Sequence, residues 1–233
     1  MKRVILFTLF IFLSQSLFAE EGFYLSLGLG SDIFFGEQMP KETIYKNGSP
    51  VTIISGNSSR EATTDIVSTD LGGMFAVDFN MGYNIMNYAS IELKLNFTGS
   101  DIWTKGERKG GGFISGVAKY HPINHWKMNY FVDPYVFLGG GYSMLGMNVE
   151  EWGFIDKQSK AISGGFFETG LGTDVYIKRW FSVFLDLNLY FPSYSKFYYD
   201  WDKDITHDMQ KTPSTTVFTI ILGGRFHFTI KEE

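Results

Sequence analysis

The stretch SVFLDLNLYF, residues 182–191, alternates without a break: Val183, Leu185, Leu187, Leu189 and Phe191 fall on one side, Ser182, Phe184, Asp186, Asn188 and Tyr190 on the other. A period of two is a β-strand with one apolar face. Such a strand suits two architectures. In a soluble sheet the leucines point into a core and Asp186 into water. In a membrane barrel the leucines meet lipid and Asp186 faces the lumen. The rest of the chain has to decide between them.

Seven more segments carry alternation of this kind: Gly22–Asp32, Gly73–Asn84, Tyr88–Thr98, Gly112–His121, Tyr130–Met144, Gly165–Lys178 and Thr215–Ile230. The fourth alternates poorly and its phase is open. The connections are short after the second, fourth and sixth segments (Ile85–Asn87, Pro122–Asn129, Arg179–Trp180). They are long and polar after the first, third, fifth and seventh (Ile33–Gly72, Gly99–Gly111, Leu145–Gly164, Pro192–Ser214). In an up-and-down meander this puts every long loop at one end, as in outer-membrane barrels. Segments of about ten residues match a tilted bilayer crossing. Aromatics gather at both ends of the segments: Tyr83, Tyr88, Trp126, Tyr130, Trp180 and Phe181 by the short turns, and Phe97, Trp103, Tyr142, Phe191 and Tyr194 by the long loops. Two such girdles mark the two interfaces. The expected fold is an all-β, eight-stranded antiparallel up-and-down transmembrane β-barrel with long extracellular loops.

The start of the chain agrees. Lys2 and Arg3, an apolar run from Val4 to Leu13 and the small residue Ala19 form a secretory signal peptide. The expected organisation is a cleaved leader, 1–19, and one barrel domain, 20–233. Without Lys2 and Arg3, 18 basic residues face 25 acidic ones, a charge of −7. That balance argues against nucleic acid as a partner. The chain has no cysteine, so an exported fold of this size must be held without disulfides.

Read as a barrel, the polar faces place Asp78, Glu92, Lys94, Glu168, Asp174, Asp186 and Arg225 in the lumen. An eight-stranded barrel has a bore that side chains can fill, and unpaired charges there are costly. These seven residues are therefore expected to pair as a plug, with Arg225 and His227 close enough to Glu92 and Lys94 to interact. No metal or cofactor is expected. Asp200, Asp202 and Asp204 alternate in an acidic loop, but Ile205 and Lys211 stand where a calcium loop needs Gly and Glu. His121 and His125 have no acidic neighbour in the sequence. The glycine-rich runs lack the Lys-Ser/Thr of a phosphate loop, and no Gly-x-Ser-x-Gly elbow is present. Asn47-Gly48, between the β-rich runs of Thr43–Ile54, predicts a hairpin inside the first long loop.

Several stretches carry a resemblance: GFYLSLGLG at the start, DPYVFLGGGY (Asp133–Tyr142), GLGTDVYIKRWFSVFLDLNLY (Gly170–Tyr190) and the last strand. With these the mature chain resembles the small outer-membrane β-barrel family that includes the membrane domain of outer membrane protein A and outer membrane proteins X and W. That family ends in a Gly-x-x-aromatic-x-aromatic assembly signal, matched here by Gly223, Phe226 and Phe228. The chain departs from it in carrying Ile221 where a polar residue is usual and in running on through TIKEE. The resemblance implies a monomer in the outer membrane, contacting lipids and lipopolysaccharide and inserted by the barrel assembly machinery. The leading expectation is a non-enzymatic protein that anchors surface loops for envelope or surface interaction, its surface ligand unknown. The alternatives are a narrow channel for small, hydrophobic solutes and, less favoured, a lipid-modifying enzyme; no His-x-Ser of the barrel deacylases is present.

Overall fold

In the computed structural model, residues 22–55, 58–100, 109–126, 131–148, 159–200 and 205–229 are described. Thirteen strands follow one another: β1 (Gly22–Gly36), β2 (Tyr45–Lys46), β3 (Ser49–Pro50), β4 (Thr52–Ser55), β5 (Ser58–Glu61), β6 (Gly72–Met86), β7 (Ala89–Gly99), β8 (Lys109–Tyr120), β9 (Val132–Asn148), β10 (Ser159–Lys178), β11 (Phe181–Asp200), β12 (Ile205–Asp208) and β13 (Thr215–Thr229). Eight of them, β1, β6, β7, β8, β9, β10, β11 and β13, pair antiparallel in that order, and β13 returns to β1 to close the cylinder. β12 is an added strand on the far part of β11.

The register sets the shape of the cylinder. Cross-strand partners lead from Tyr24 to Gly82, Glu92, Val117, Gly139, Glu168, Tyr190 and Val217, and back to the first strand at Phe34, ten residues beyond the start. With strands about 4.8 Å apart and a rise of about 3.3 Å per residue, that stagger tilts the strands by about 40° and gives a backbone radius of about 8 Å. Each residue then climbs about 2.5 Å along the barrel axis, so an apolar band about 25 Å tall takes about ten residues.

The faces are inverted relative to a soluble protein. Leu27, Leu29, Ile91, Leu138, Leu171 and Leu222 stand out from the wall, while Lys94, Asp78, Glu168 and Arg225 are buried inside it. Trp180 stacks on Phe226 at the short-turn end, and Phe167 on Phe191 toward the long-loop end. The phase of β8 is now settled. Ile114, Gly116, Ala118 and Tyr120 face out and Phe113, Ser115, Val117 and Lys119 face in, so apolar residues on both faces had blurred the alternation.

One expectation needs correction, and the hairpin expected in the first long loop is present. The stretches read as loops Leu145–Gly164 and Pro192–Ser214 are in large part strand, since β9, β10 and β11 run 17, 20 and 20 residues. Pairing continues where the outer face no longer has to be apolar, so the hydrophobic alternation stops before the ladder does. The first long loop is also folded. Asn47 and Gly48 both take positive φ, 51° and 79°, in the tight turn between β2 and β3, as a two-residue hairpin requires. A second hairpin, β4–β5, follows. The loop turns back over the mouth of the barrel, held by Met39 N–H to Val67 O at 2.9 Å and Ile44 N–H to Ala62 O at 3.0 Å. The leader 1–19 lies outside the described residues.

Candidate functional site

The bore has two layers of different chemistry. At the short-turn end it is a charged plug centred on Arg225. The guanidinium bonds Asp174 through Nη1 and stands 3.9 Å from Glu92 Oε2, with the rings of Tyr24 and Phe184 packed at 4.9 and 4.8 Å. Glu92 is also met by Lys119 Nζ at 2.8 Å and by the Tyr24 hydroxyl, which donates at 2.9 Å. Asp186 accepts from the Tyr135 hydroxyl.

Glycine makes these contacts geometrically accessible. Tyr24, Gly82 and Glu92 are successive cross-strand partners, as are Tyr135, Gly172 and Asp186. Each tyrosine lies flat across a glycine to reach an acid one strand further on. A Cβ at Gly82 would sit 2.2 Å from the Tyr24 ring, and one at Gly172 would sit 2.3 Å from Asp186 and 2.6 Å from Tyr135. Close side-chain approach of this kind is where a strand needs glycine. Gly223, singled out in the terminal motif, has the same local role: a Cβ there would stand 2.6 Å from Phe184. Phe226 and Phe228 point outward from the last strand.

Above the plug lie Lys94, Asp78 and Glu168. The ammonium is 4.0 Å from Asp78 and 3.8 Å from Glu168. All seven charges predicted for the lumen are thus inside it, and Arg225 and Lys94 each reach two of the acids. Sequence reading missed Asp32, Lys119, His121 and Asp133, which share the interior. Asp32 is the last residue of the first assigned segment, one step past Gly30 on its inward phase, and Lys119 lies in the segment whose phase was open. His121, without an acidic neighbour in the sequence, gains one in the fold. Its Nδ1 is 2.8 Å from Asp133 Oδ2 and its Nε2 is 3.4 Å from Ser90 Oγ. Twelve residues separate His121 from Asp133, and only the β8–β9 pairing joins them. Asn124 Nδ2 donates to the same carboxylate oxygen. This hydroxyl–imidazole–carboxylate line is buried within the plug, with Ser90 only 3% exposed and the Tyr135 ring 5.2 Å from the imidazole. The side chain of His125 and residues 201–204 of the acidic loop lie outside the described residues.

The long-loop end of the bore is apolar. Met39, Ile44, Ala62, Val67 and Leu71 of the folded loop pack onto Phe34, Phe113, Phe166, Tyr190, Tyr194 and Phe197 of the wall. Phe113 stacks on Tyr190 at 4.9 Å and meets Phe166 edge-on at 5.4 Å. Carboxylates latch this cap to the segment after β12. Glu42 accepts from the backbone N–H groups of Gln210 and Lys211 at 3.1 and 2.9 Å and stands 2.7 Å from His207 Nε2, while Glu37 accepts from Ser214 N–H at 2.9 Å. Partial burial works against charge on Glu42, but the His207 ring and the two N–H groups outweigh it and hold the carboxyl below its ordinary value of 4.5.

On the outer wall, Gly116 and Ala118 leave a concavity of about 630 Å³ bordered by Met81, Ile91, Leu93 and Leu138. It opens away from the barrel axis. Among the described residues no group of three acidic, histidine or cysteine side chains is placed to hold a metal ion, and no helix is long and apolar enough to cross a membrane.

No protein-family profile and no curated protein matches the chain. Solved structures do. The outer membrane protein OprG from Pseudomonas aeruginosa matches with a TM-score of 0.53 at 10% identity, over 91% of this chain and 98% of that one. Ail, the attachment invasion locus protein of Yersinia pestis, matches with a TM-score of 0.49 at 12% identity, over 90% and 99%. Neisserial surface protein A matches with a TM-score of 0.48 at 12% identity, over 89% and 97%. The match to OprG identifies the closed eight-stranded cylinder, with its apolar outer wall and polar interior, as an outer-membrane β-barrel fold.

Proposed function

We propose that the protein is an integral outer-membrane barrel whose long-loop end is its working surface, and that it acts without catalysis by presenting that surface to partners outside the cell. The observation that carries this reading is the pairing of a filled bore with an extended, folded rim. Ion pairs fill the short-turn end and an apolar cap closes the other. Meanwhile β10 and β11 run about ten residues past what the bilayer needs. Binding residues concentrate on loops that a rigid scaffold positions, and here part of the rim is itself scaffold. Outer-membrane lipids and lipopolysaccharide would surround the wall, the barrel assembly machinery would read the last strand with Gly223, Phe226 and Phe228, and the leader would direct export. The Ser90–His121–Asp133 line fits this reading as part of the plug, because its hydroxyl is covered.

A second reading, a narrow path for small apolar solutes, draws on the aromatic lining of the capped mouth. Two measurements separate them. In planar bilayers the surface reading expects the purified protein to stay electrically silent, and steady single-channel conductance would overturn it. On intact cells a membrane-impermeant amine reagent should modify Lys41, whose side chain is 73% exposed on the cap, while Lys178 at the short-turn end reacts only once the outer membrane is opened. The reverse labelling pattern would overturn the assigned orientation.

A further inference from the structure

The middle of the bore holds more carboxyl groups than its cation can balance. Between the Arg225 plug and the apolar cap lie Asp32, Asp78 and Glu168, each 0% exposed, with Lys94 as the one cation paired to Asp78 and Glu168 among the described residues. Three carboxyl groups face one ammonium, so the protein itself can balance only one of them as a carboxylate, in a place where uncompensated charge is expensive. Lys94 does not hydrogen-bond these acids, since 3.8 and 4.0 Å exceed the N–H···O range. Its ammonium is shared instead with the ring faces of Phe137 and Tyr190, at 5.3 and 5.6 Å. The ammonium thus makes no direct hydrogen bond to either acid.

A second, independent set of atoms lies at the same level of the bore. Asn96 and Asn188 are 1% and 0% exposed, and neither the oxygen nor the nitrogen of either amide has a protein partner. Asn96 is the direct cross-strand partner of Asp78 on the inner face. Asn188 is the partner of Thr219, whose hydroxyl donates to Asp32. Asp78 Oδ1 and Asn80 Oδ1 are likewise without a partner, although Asn80 Nδ2 donates to the other Asp78 oxygen at 3.0 Å. Buried amides left wholly unpaired are rare, because each forfeits its hydrogen bonds to water. Here two of them, Asn96 and Asn188, adjoin unbalanced carboxyl groups; a hydrated cation would meet their oxygens, and its waters their Nδ2 groups.

We infer that this layer of the bore binds a hydrated alkali-metal cation, with Asp78, Glu168 and the amide oxygens of Asn96 and Asn188 as its oxygen ligands. A single charge suits the site better than a double one. No group of three acidic side chains converges among the described residues, and Lys94 stands in the middle of the acids. Hard cations of low charge take carboxylate, amide and water oxygens together, and bridging waters would join the cation to the acids that Lys94 does not hydrogen-bond. The cation would balance the bore without opening it, so the inference stands whether or not the loops bind a partner.

The test uses the full refolded barrel. Crystals soaked in thallium(I), a heavy stand-in for potassium, should show an anomalous peak between Asp78 and Glu168, and Glu168→Gln should abolish it. In lipid vesicles at matched ionic strength, wild type should melt at a higher temperature in potassium chloride than in choline chloride, by an amount that saturates with potassium. Asn96→Leu, which removes an oxygen and no charge, should lower the apparent potassium affinity at least tenfold and thus keeps the test open if the charge variants do not fold. Water alone in this layer, equal melting in both salts and an infrared band from protonated carboxyl groups would overturn the inference, because protons would then balance the charge.

Discussion

Leu187→Arg tests the inverted reading of the wall most directly. On β11, Leu187 lies six residues from Phe181 at the short-turn girdle and four from Phe191 at the other. At about 2.5 Å of height per residue it is about 15 Å above one aromatic ring and about 10 Å below the other, near the middle of the apolar band. Its cross-strand partners Leu171 and Ile220 are outward and exposed, so no acid stands beside it to receive a guanidinium. An arginine at the bilayer midplane costs about 2–4 kcal/mol, falling to about 0–1 near the interfaces. Ile177→Arg supplies the control. Ile177 is 56% exposed and one residue from the end of β10, so its cost should lie at the lower limit. Reversible denaturant titrations in phospholipid vesicles, followed by tryptophan fluorescence, would measure both. A difference of about 2–3 kcal/mol, a factor of about 30 to 140 in the folding constant at 1.4 kcal/mol per decade, is expected. Were the wall in water, both would be exposed surface substitutions worth at most about 0.5 kcal/mol. Equal small costs for the two variants would therefore refute the placement of this wall in lipid.

Two further outcomes follow from the bore and its cap. Arg225→Met should destabilise the barrel by about 3–5 kcal/mol, because Asp174 loses its cation and keeps only the Ser182 hydroxyl, while Glu92 is left with Lys119 and the Tyr24 hydroxyl; adding Asp174→Asn should recover part of that loss, and a strictly additive double variant would show that the two groups are not coupled. The cap latch should depend on acidity: since Glu42 has its carboxyl held below 4.5, its contribution is complete above that pH and is lost as pH falls through the lowered value. Hydrogen exchange in Met39–Val67 should therefore speed up on acidification below the ordinary carboxylate range, and Glu42→Gln should give fast exchange at neutral pH as well.

Much of this molecule could be read without its structure, because lipid imposes a simple rule. Every strand that crosses must turn alternate residues to hydrocarbon, so the phases of β1, β6, β7, β10, β11 and β13 are written in their residues, and with them the lumen positions of Asp78, Glu168 and Asp186. Where the rule does not apply, the pattern is silent. β9, β10 and β11 extend beyond the band with no constraint on their outer face, and their upper halves read as loop. β8 carries Phe113 and Val117 inward and Gly116 outward, so its phase was open and Lys119 went unplaced. Sequence alone located the lumen charges but not their pairing. That depends on a stagger of ten residues around the cylinder, which sets Tyr24 across Gly82 onto Glu92 and brings His121 to Asp133. The cap likewise shows in sequence only as the Asn47-Gly48 turn, because what drives Met39, Ile44 and Val67 over the mouth is an apolar ring of Phe34, Phe113, Phe166 and Tyr190 that exists only once four separate strands have closed.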